Sequence, residues 1–356
     1  MKRILIFIDS LISGGAQRQN VGLAKLLHDK GYEVKLVYYH PIEFYKPFLD
    51  EHGVDNELIP DAVDGKKRIF RVAKAIKAFK PDVVISYLDV PNILACTLKA
   101  CGMKYRLIVS ERNTTQVLTK KEKVKFFMMR WADAIVPNSY SQERFIKEHY
   151  PKLMSRVHTI TNFVDTDAFS PVNTDNSDTC RFICVGRVSE QKNTLRFLQV
   201  IKRLKDNGYK FKIEWFGYVA ESYLKQCNDY IAQNDLQSVF AFNEPTATIV
   251  DEYRKNDVFI LPSIYEGFPN VVCEAMCCGK PILCSNICDN PLIVEDGGNG
   301  YLFDPLSVDD MYEKMEKYIR LASDEKHKMS LRSRELALEK FSSEAFIQKY
   351  IDLIEQ

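Results

Sequence analysis

Residues 3–39 read RILIFIDSLISGGAQRQNVGLAKLLHDKGYEVKLVYY. The apolar run RILIFI predicts a β-strand, and the glycine-containing segment after it predicts a turn. The apolar residues that follow have the spacing of one face of a helix: Val21, Leu23, Ala24, Leu26 and Leu27. Gly31 ends that helix, and YEVKLVYY predicts a second strand. Strand, glycine turn, helix and strand in this order predict a parallel βαβ unit.

The same alternation continues along the chain. The first half adds the predicted strands PDVVISYL, YRLIVSE and AIVPNS, and the second half adds RFICVGRV, KIEWFG, VFAF, VFILPS and PILCS. Helices are predicted between them, among them 193–207, 219–234, 246–255, 308–321 and 325–340. The polar segment 162–180 is the predicted linker. We therefore expect two doubly wound α/β domains with parallel sheets, and ligands in the cleft between them.

The composition is that of a globular chain of two domains. The 356 residues are 46% hydrophobic and 27% charged. Apolar runs reach about the length of a strand, and the first residues lack the features of a signal peptide, so we expect a cytoplasmic protein. Cys273, Cys277, Cys278, Cys284 and Cys288 cluster without CxxC spacing and without histidine, so we interpret them as buried free thiols and expect no metal.

Charge is distributed unevenly between the two halves. Residues 1–165 hold 27 Lys and Arg against 18 Asp and Glu, whereas residues 166–356 hold 22 against 30. A basic half indicates an anionic partner, which leaves nucleic acid, an acidic membrane surface and a phosphorylated acceptor open.

Two loops after predicted strands have the composition of an anion site. SGGAQR, residues 13–18, opens the first helix, and its glycines allow backbone amides to approach a ligand, although its spacing is neither GxGxxG nor a P-loop. VGRVSEQKN, residues 185–193, brings Arg187 and Lys192, two cations that together can neutralise a diphosphate. The alternatives are a tight turn and solvated surface cations.

The stretch YEGFPNVVCEAMCCGKP, residues 265–281, places two acids around a predicted helix start. Pro269 suits a first helical turn and Gly267 suits close backbone approach. Glu266 and Glu274 can each accept hydrogen bonds from neighbouring hydroxyls, as on a sugar or a ribose. The alternative is ordinary stabilisation of a helix N-terminus by acids. We also expect backbone amides here to point towards the ligand, namely those of Phe268, Asn270 and Val271.

Taken together, these stretches resemble a known family. EGFPNVVCEAMCCGKPIL resembles the E-x7-E signature of family-4 retaining glycosyltransferases, which have the GT-B architecture of two Rossmann-like domains facing across a cleft. SGGAQR resembles the N-terminal glycine loop of that family, VGRVSEQKN its G-R-x4-K-N motif, and NFVDTDAFSP its interdomain segment. The resemblance spans nearly the whole chain. It implies an N-terminal acceptor-side domain, 1–163, onto which a C-terminal helix, 342–356, packs back, and a nucleotide-sugar-binding domain, 164–341.

The resemblance also implies roles for single residues. Arg187 and Lys192 would hold the donor diphosphate and Glu266 would lie by the transferred sugar, as the catalytic set. Glu274 would bind the ribose. The remaining implied donor contacts are Gly15, Gly186, Gly217, Phe242, Asn243, Gly267, Phe268, Pro269, Asn270 and Val271. The implied acceptor or sugar side is Gly14, Arg18 and Arg112. Such enzymes are usually independent of metals, so no cofactor is expected.

Three segments depart from the family or could mislead. Arg112, in SERN, stands where many relatives have a histidine, and an arginine donates hydrogen bonds but is no base. WFGYVAES keeps Gly217 but differs from the usual loop around it. DTD, residues 165–167, resembles the metal-binding DxD motif of other glycosyltransferases but falls in the linker, so we do not expect a metal there.

The predicted function is transfer of a hexose or N-acetylhexosamine, with retention, from a nucleotide sugar to a glycan or lipid-linked saccharide in cell-surface polysaccharide or glycoconjugate assembly. A UDP-sugar is the expected donor. The alternative is a non-catalytic nucleotide-sugar-binding module. Nucleic acid is not an expected partner, because no such motif is present. The basic, aromatic segment TKKEKVKFFMMRWAD suggests peripheral attachment at the inner face of the cytoplasmic membrane.

Overall fold

The computed structural model describes residues 2–112, 115, 117–172, 178–218, 221–246 and 248–356, with the backbone alone at 221 and 222. Five segments singled out in the sequence extend beyond these residues: SERN at Asn113, the linker at 173–177, WFGYVAES and the helix 219–234 at 219–220, and the helix 246–255 at 247. The chain divides into two compact units. One comprises Met1–Phe163 with Ser343–Gln356, and the other comprises Val164–Ser342.

The first unit is a six-stranded parallel sheet in the order β3-β2-β1-β4-β5-β6. Its side chains alternate between two cores: Ile4 and Ile6 of the first strand face one, and Leu5 and Phe7 face the other. Helices therefore cover both faces. Its elements are β1 Arg3–Phe7, α1 Gly15–Asp29, β2 Glu33–Tyr38, α2 Lys46–Glu51, β3 Asp55–Leu58, α3 Gly65–Phe79, β4 Val83–Tyr87, α4 Asp89–Ala100, β5 Arg106–Glu111, α5 Lys120–Met128, β6 Ala134–Pro137, α6 Tyr140–His149 and, after the second unit, α14 Ser343–Glu355.

The second unit repeats this plan, with the strand order β12-β11-β10-β7-β8-β9 and parallel pairing throughout. Counted from its own first strand, the order is that of the first unit, so both are doubly wound sheets, as predicted. Its elements are β7 Cys180–Val185, α7 Thr194–Asp206, β8 Phe211–Phe216, α8 Glu221–Gln233, β9 Phe240–Asn243, α9 Ile249–Lys255, β10 Val258–Leu261, α10 Asn270–Cys277, β11 Ile282–Ser285, α11 Asn290–Ile293, β12 Gly300–Phe303, α12 Val308–Arg320 and α13 Ser323–Phe341.

The strand order shows where in each sheet the winding reverses, that is, where successive strands begin to be added on the opposite side of the first strand. In the second unit β10 and β7 are neighbours, with Val258 opposite Phe182, and their following helices pack on opposite faces. Loops that leave such neighbouring strands diverge and open a crevice at the carboxyl edge of the sheet. The loops after β7 and β10 are those that contain VGRVSEQKN and YEGFPNVVCEAMCCGKP.

One lysine of the predicted basic helix is an internal ion-pair partner instead of a surface charge. Lys125 is 1% exposed, and its Nζ lies 2.8 Å from Glu111 at the end of β5, 2.6 Å from Glu122 and 3.5 Å from Asp89. Burial raises the pKa of the Glu111 carboxyl to about 6, an effect that Lys125 opposes. The cluster ties α5 and α4 to the sheet, and Lys125 is unavailable to a membrane.

Four of the five clustered cysteines are core residues, as interpreted from the sequence, and Cys288 is not. Cys273, Cys277, Cys278 and Cys284 are buried free thiols, and Cys288 is partly exposed. Burial raises the pKa of Cys277 to about 12 and that of Cys278 to about 11, so both thiols stay protonated near neutral pH. Across the described residues, no group of three or more His, Cys, Asp or Glu side chains is placed to hold a metal ion.

Gly22, inside α1, provides a test of packing in the first unit. A Cβ atom built there would lie 2.5 Å from Cζ of Phe163, whereas one built on Gly65, at the start of α3, meets nothing within 4 Å. Alanine is the better helix former by ~1 kcal/mol in a helix interior, where Gly22 lies. We expect Gly22→Ala nevertheless to destabilise the protein by about 1–2 kcal/mol through overpacking, and Gly65→Ala to be neutral or stabilising. Urea unfolding measures both, and equal midpoints would contradict this packing.

Candidate active site

Two glycine loops in the second unit approach each other too closely for any side chain. Gly186 follows β7 and Gly217 follows β8, with φ angles of 151° and 158°. A Cβ on Gly217 would lie 2.1 Å from the Gly186 carbonyl oxygen, which accepts a hydrogen bond from Nε1 of the buried Trp215 at 2.8 Å. The Gly217 amide in turn donates to the Asn243 carbonyl at 3.1 Å. Gly186, Gly217 and Asn243, three predicted donor contacts, therefore form one continuous backbone surface.

The loop after Gly186 turns directly into a cationic segment. A 3₁₀ turn spans Glu190–Lys192, and Asn193, with φ of 60°, reverses the chain into α7. Asparagine tolerates this left-handed conformation better than most residues. Its side-chain amide donates to the Pro305 carbonyl at 2.7 Å, which fixes the turn. A Cβ on Gly186 would lie 2.9 Å from Cε of Lys192, so the lysine side chain lies over the glycine.

Lys192 is paired with Glu266. Its Nζ lies 2.6 Å from Oε1 of Glu266, and the two side chains are only 13% and 11% exposed. The two loops are also joined through backbone groups, because the Ile264 amide donates to the Gln191 carbonyl at 2.8 Å and the Gln191 side chain donates to the Tyr265 carbonyl at 3.0 Å. The cationic loop and the acidic loop thus form one rigid assembly.

A cavity of about 820 Å³ opens beside this pair. Arg187 is exposed on its wall, and within the described parts of the chain no acidic side chain forms an ion pair with it. A cavity of this size with two cations, Arg187 and Lys192, and two carboxylates, Glu190 and Glu266, can bind an anionic ligand that also carries hydroxyl groups. The lining comprises Arg187, Ser189, Glu190, Gln191, Lys192, Tyr223, Gln226, Ile264, Tyr265 and Glu266.

Glu274 lies in a different environment from Glu266. It is 4% exposed, and it accepts a hydrogen bond from the Tyr253 hydroxyl at 3.2 Å. The helix that contains it begins at Asn270, with Pro269 as its N-cap, at the helix start where proline was predicted. The Asn270 amide donates to the Phe268 carbonyl at 3.0 Å, so it is not the unpaired donor that we expected; its contact with a ligand stays a prediction.

The other predicted donor contacts divide between surface and core. Phe242 is half-buried at the end of β9, with its ring centroid 6.2 Å from that of Trp215. Phe268 is 8% exposed and packs against Phe341, so only its backbone is available to a ligand. Gly267 and Val271 are partly exposed on either side of it.

The predicted acceptor-side residues belong to the first unit. Gly14 is the N-cap of α1, Gly15 is the first residue of that helix, and Arg18 is exposed on its first turn. Arg112 follows β5 and is 9% exposed, with hydrogen bonds to Asn162, Tyr87 and Tyr350. DTD, in the second unit, forms a local turn, since Asp165 accepts from the amides of Asp167 and Ala168.

Sequence reasoning did not identify several residues that build the cavity. Tyr223 and Gln226 come from α8 and show no motif that would have marked them. Trp215 did offer a signal, because a buried indole N–H needs an acceptor and usually finds a backbone carbonyl. Glu190 and Gln191 lie within the quoted motif but had been given no role.

The comparisons with known proteins agree with this architecture. Residues 13–168 match the family model "Glycosyltransferase Family 4", and residues 165–336 match "Glycosyl transferases group 1". The GalNAc-alpha-(1->4)-GalNAc-alpha-(1->3)-diNAcBac-PP-undecaprenol alpha-1,4-N-acetyl-D-galactosaminyltransferase of Campylobacter jejuni is 31% identical over 295 residues, which cover 78% of this chain and 77% of the relative. The UDP-Gal:alpha-D-GlcNAc-diphosphoundecaprenol alpha-1,3-galactosyltransferase of Escherichia coli is 24% identical, with 68% and 67% covered.

A solved structure has the same fold. Anabaena HepE, crystallised in complex with UDP and glucose, superposes with a TM-score of 0.85 at 17% identity, and the alignment covers 100% of both chains.

The ion pair beside the cavity can be tested by unfolding. We expect Lys192→Met to leave Glu266 buried without a counter-charge and to cost about 2 kcal/mol, less than the ~3–5 kcal/mol for a fully buried pair because both side chains keep some exposure. The double variant Lys192→Met/Glu266→Gln should recover most of that loss. Guanidinium unfolding of both variants and of Glu266→Gln completes the cycle, and a double variant less stable than Lys192→Met alone would contradict the pairing.

The paired glycine loops, the cationic turn, the acidic helix start and the sequence relationships all lead to one assignment: the chain belongs to glycosyltransferase family 4 and is a glycosyltransferase of the GT-B architecture.

Proposed function

We propose that this enzyme transfers a sugar, with retention of anomeric configuration, from a UDP-sugar to a lipid-linked saccharide in the assembly of a surface glycan. The observation that carries the proposal is the convergence of Arg187, Lys192 and Glu266 on one cavity at the carboxyl edge of the second sheet. The names of the Campylobacter and Escherichia relatives, which specify undecaprenol-linked acceptors and α-linked products, support the acceptor class and the stereochemistry. The UDP complex of HepE supports the nucleotide.

The charges of the cavity suit the departure of a nucleoside diphosphate. The Lys192 ammonium has three donors, so it can hold Glu266 and a phosphate oxygen together. The Arg187 guanidinium offers a second, planar set of donors from the same wall. In this proposal both cations stabilise the negative charge that develops on the diphosphate as its bond to the anomeric carbon breaks. No metal is required in it.

Sugar recognition is assigned to the acidic loop. Glu266 is held by Lys192 and can accept hydrogen bonds from hydroxyls of the transferred sugar. In this proposal the acceptor hydroxyl forms the new bond to the anomeric carbon on the face that the diphosphate leaves, and its proton passes to a phosphate oxygen. The protein contributes by positioning the reactants and by stabilising charge. In this proposal Glu274 contacts the ribose of the nucleotide, and Phe242–Asn243 lie near its base.

Loss of either cation should abolish most transfer. We expect Lys192→Ala and Arg187→Ala to lower kcat at least about 100-fold, because each removes a charge that stabilises the leaving group. The matched control is Lys202→Ala, which removes an exposed lysine of α7 that is paired with Asp206. Circular dichroism at the assay temperature verifies that each variant is folded. Near-normal turnover in both active-site variants would refute the proposed site.

The donor nucleotide can be identified with the same proteins. A thermal-shift screen against UDP-, GDP- and ADP-sugars should raise the melting temperature with the UDP-sugars, since ligand binding stabilises the native state. The shift should disappear in Arg187→Ala and persist in Lys202→Ala. A shift with GDP- or ADP-sugars alone would overturn the assignment of UDP.

We further propose that the first unit attaches to an anionic membrane surface through α3 and α5. Both helices pack on the same face of the sheet, where Val72 and Phe126 share one core. On α5, Phe127 is 53% exposed with Arg130 stacked 3.4 Å above its ring centroid, and on α3 Phe70 is 76% exposed. The exposed cations around these rings are Lys66, Lys67, Lys74, Lys77, Lys120, Lys121, Lys123 and Arg130.

The surface thus combines apolar side chains that can enter the headgroup region with cations that attract anionic lipids. None of the helices in the described part of the chain has the length and apolarity of a membrane-spanning helix. A lipid-linked acceptor would give this attachment a purpose, since it would bring the enzyme to the surface where such acceptors reside.

Vesicle binding tests this surface. We expect the protein to cosediment at low salt with vesicles of equal parts phosphatidylcholine and phosphatidylglycerol, and to dissociate at about 0.5 M NaCl because salt screens the attraction. Lys123→Glu should weaken binding about 30-fold, since each basic residue contributes ~1 kcal/mol and the reversal changes the charge by two units, or ~2 kcal/mol. Lys202→Glu, in the second unit, serves as the control, and equal binding by all three proteins would exclude this surface.

A further inference from the structure

Arg112 is buried at the carboxyl end of β5 and is bound to three neutral side chains. Its Nη1 donates to Oδ1 of Asn162 at 2.6 Å, and its Nη2 donates to the hydroxyls of Tyr87 at 2.9 Å and Tyr350 at 3.0 Å. The two hydroxyls lie 3.1 Å apart, and the guanidinium carbon lies 4.6 Å from the Tyr87 ring centroid. Burial raises the pKa of Tyr87 well above its usual range, so this phenol remains neutral.

The partners of Arg112 come from the two places where the chain passes between units. Asn162 immediately precedes Phe163, the last residue before the chain leaves the first unit. Tyr350 lies in α14, the helix with which the chain returns. Arg112 therefore fastens the departing segment and the returning helix to the carboxyl edge of the first sheet, where β4 supplies the third partner, Tyr87.

The departing segment is in turn bound to α1. The Gln19 side chain donates to the Phe163 carbonyl at 2.8 Å and accepts from the Phe163 amide at 3.1 Å. The Phe163 ring lies over Gly22 and packs 4.7 Å from the Phe346 ring of α14. Arg112 is thus connected, through residues 162 and 163, to the helix that begins at Gly15.

These contacts engage both terminal nitrogens of the guanidinium within the first unit. Three of its five N–H groups donate to Asn162, Tyr87 and Tyr350, and Nε is buried without a hydrogen-bond partner among the described residues. We propose that Arg112 is a positioning residue: it fixes the departing segment, α14 and, through Gln19, the helix that carries the glycine loop. In this proposal Arg112 acts on the reaction through these segments, whereas its place in the sequence suggests a direct contact with the sugar or the acceptor.

We call the hydrogen bonds of Arg112 to Asn162, Tyr87 and Tyr350 the Arg112 clasp. Hydrogen–deuterium exchange of α14 tests this clasp directly. Arg112→Lys keeps the charge but loses the planar fork, and Tyr350→Phe removes one acceptor without other change. We expect each to accelerate exchange in peptides covering residues 343–355 by about tenfold, as for loss of a hydrogen bond to a charged group. The double variant should accelerate it by less than the product of the two, because both changes remove the same bond. An acceleration in the double variant equal to the product of the two single accelerations, or a wild-type exchange rate in Tyr350→Phe, would contradict the clasp.

Arg106 provides a matched control for the effect on the reaction. It lies at the amino end of β5 and binds α14 from there, with Nε donating to the Leu353 carbonyl at 2.8 Å. We expect Arg106→Lys to accelerate exchange in α14 while turnover stays within about twofold of wild type. Arg112→Lys and Tyr350→Phe should both lower kcat several-fold and leave the Kd for UDP unchanged.

Two results would reject the positioning role. If Arg112→Lys lowers kcat while α14 exchanges normally and Tyr350→Phe turns over normally, Arg112 contacts a ligand. If Arg106→Lys lowers kcat as much as Arg112→Lys, the residue contributes only general stability. The kinetic comparison uses the UDP-sugar selected by the donor screen and so rests on the proposed function. Failure of the wild-type enzyme to turn over any UDP-sugar would reject that function, whereas the exchange experiment tests the clasp independently.

Discussion

The geometry of the site depends on the absence of two side chains. The ends of β7 and β8 lie so close that a single carbon added to Gly217 would collide with the Gly186 carbonyl oxygen, and one added to Gly186 would meet the Lys192 side chain. That contact lets the Trp215 indole hold the Gly186 carbonyl and lets Lys192 lie across the glycine towards Glu266. A larger residue at Gly217 would separate the two loops, and one at Gly186 would push the Lys192 side chain away from its place beside Glu266.

Much of this arrangement is predictable from sequence because it is built from local signals. The alternation of apolar strands with amphipathic helices predicts the parallel sheets, and glycine, proline and charge mark the loops after β1, β7 and β10. The strands that sequence analysis did not predict are β3 and β12, and both lie at the edge of their sheet. Both strands have only four residues, and DNEL in β3 also lacks the apolar pattern on which such predictions rest.

The burial of two cations of the first unit, Lys125 and Arg112, could not have been predicted in this way. Lys125 appears in the sequence as one of several lysines on an exposed helix, and Arg112 as a loop residue beside a ligand. Their partners are supplied by tertiary structure: Tyr350 is 238 residues from Arg112, and Glu111 faces Lys125 across a sheet edge. A single sequence records residue types but not which distant side chains neutralise them, so buried ion pairs and clasps are recognised only once the fold is known.

The distribution of thiols has a practical consequence for work with this enzyme. All ten cysteines lie in the described part of the chain; eight are buried, Cys288 is partly exposed, and Cys101, just after α4, is exposed. A maleimide applied to the native protein should therefore modify Cys101 first, because its thiol is more exposed than the other nine. The wild-type chain thus carries a nearly unique attachment point for a fluorophore, at the end of a helix next to the proposed membrane surface, without any engineered substitution.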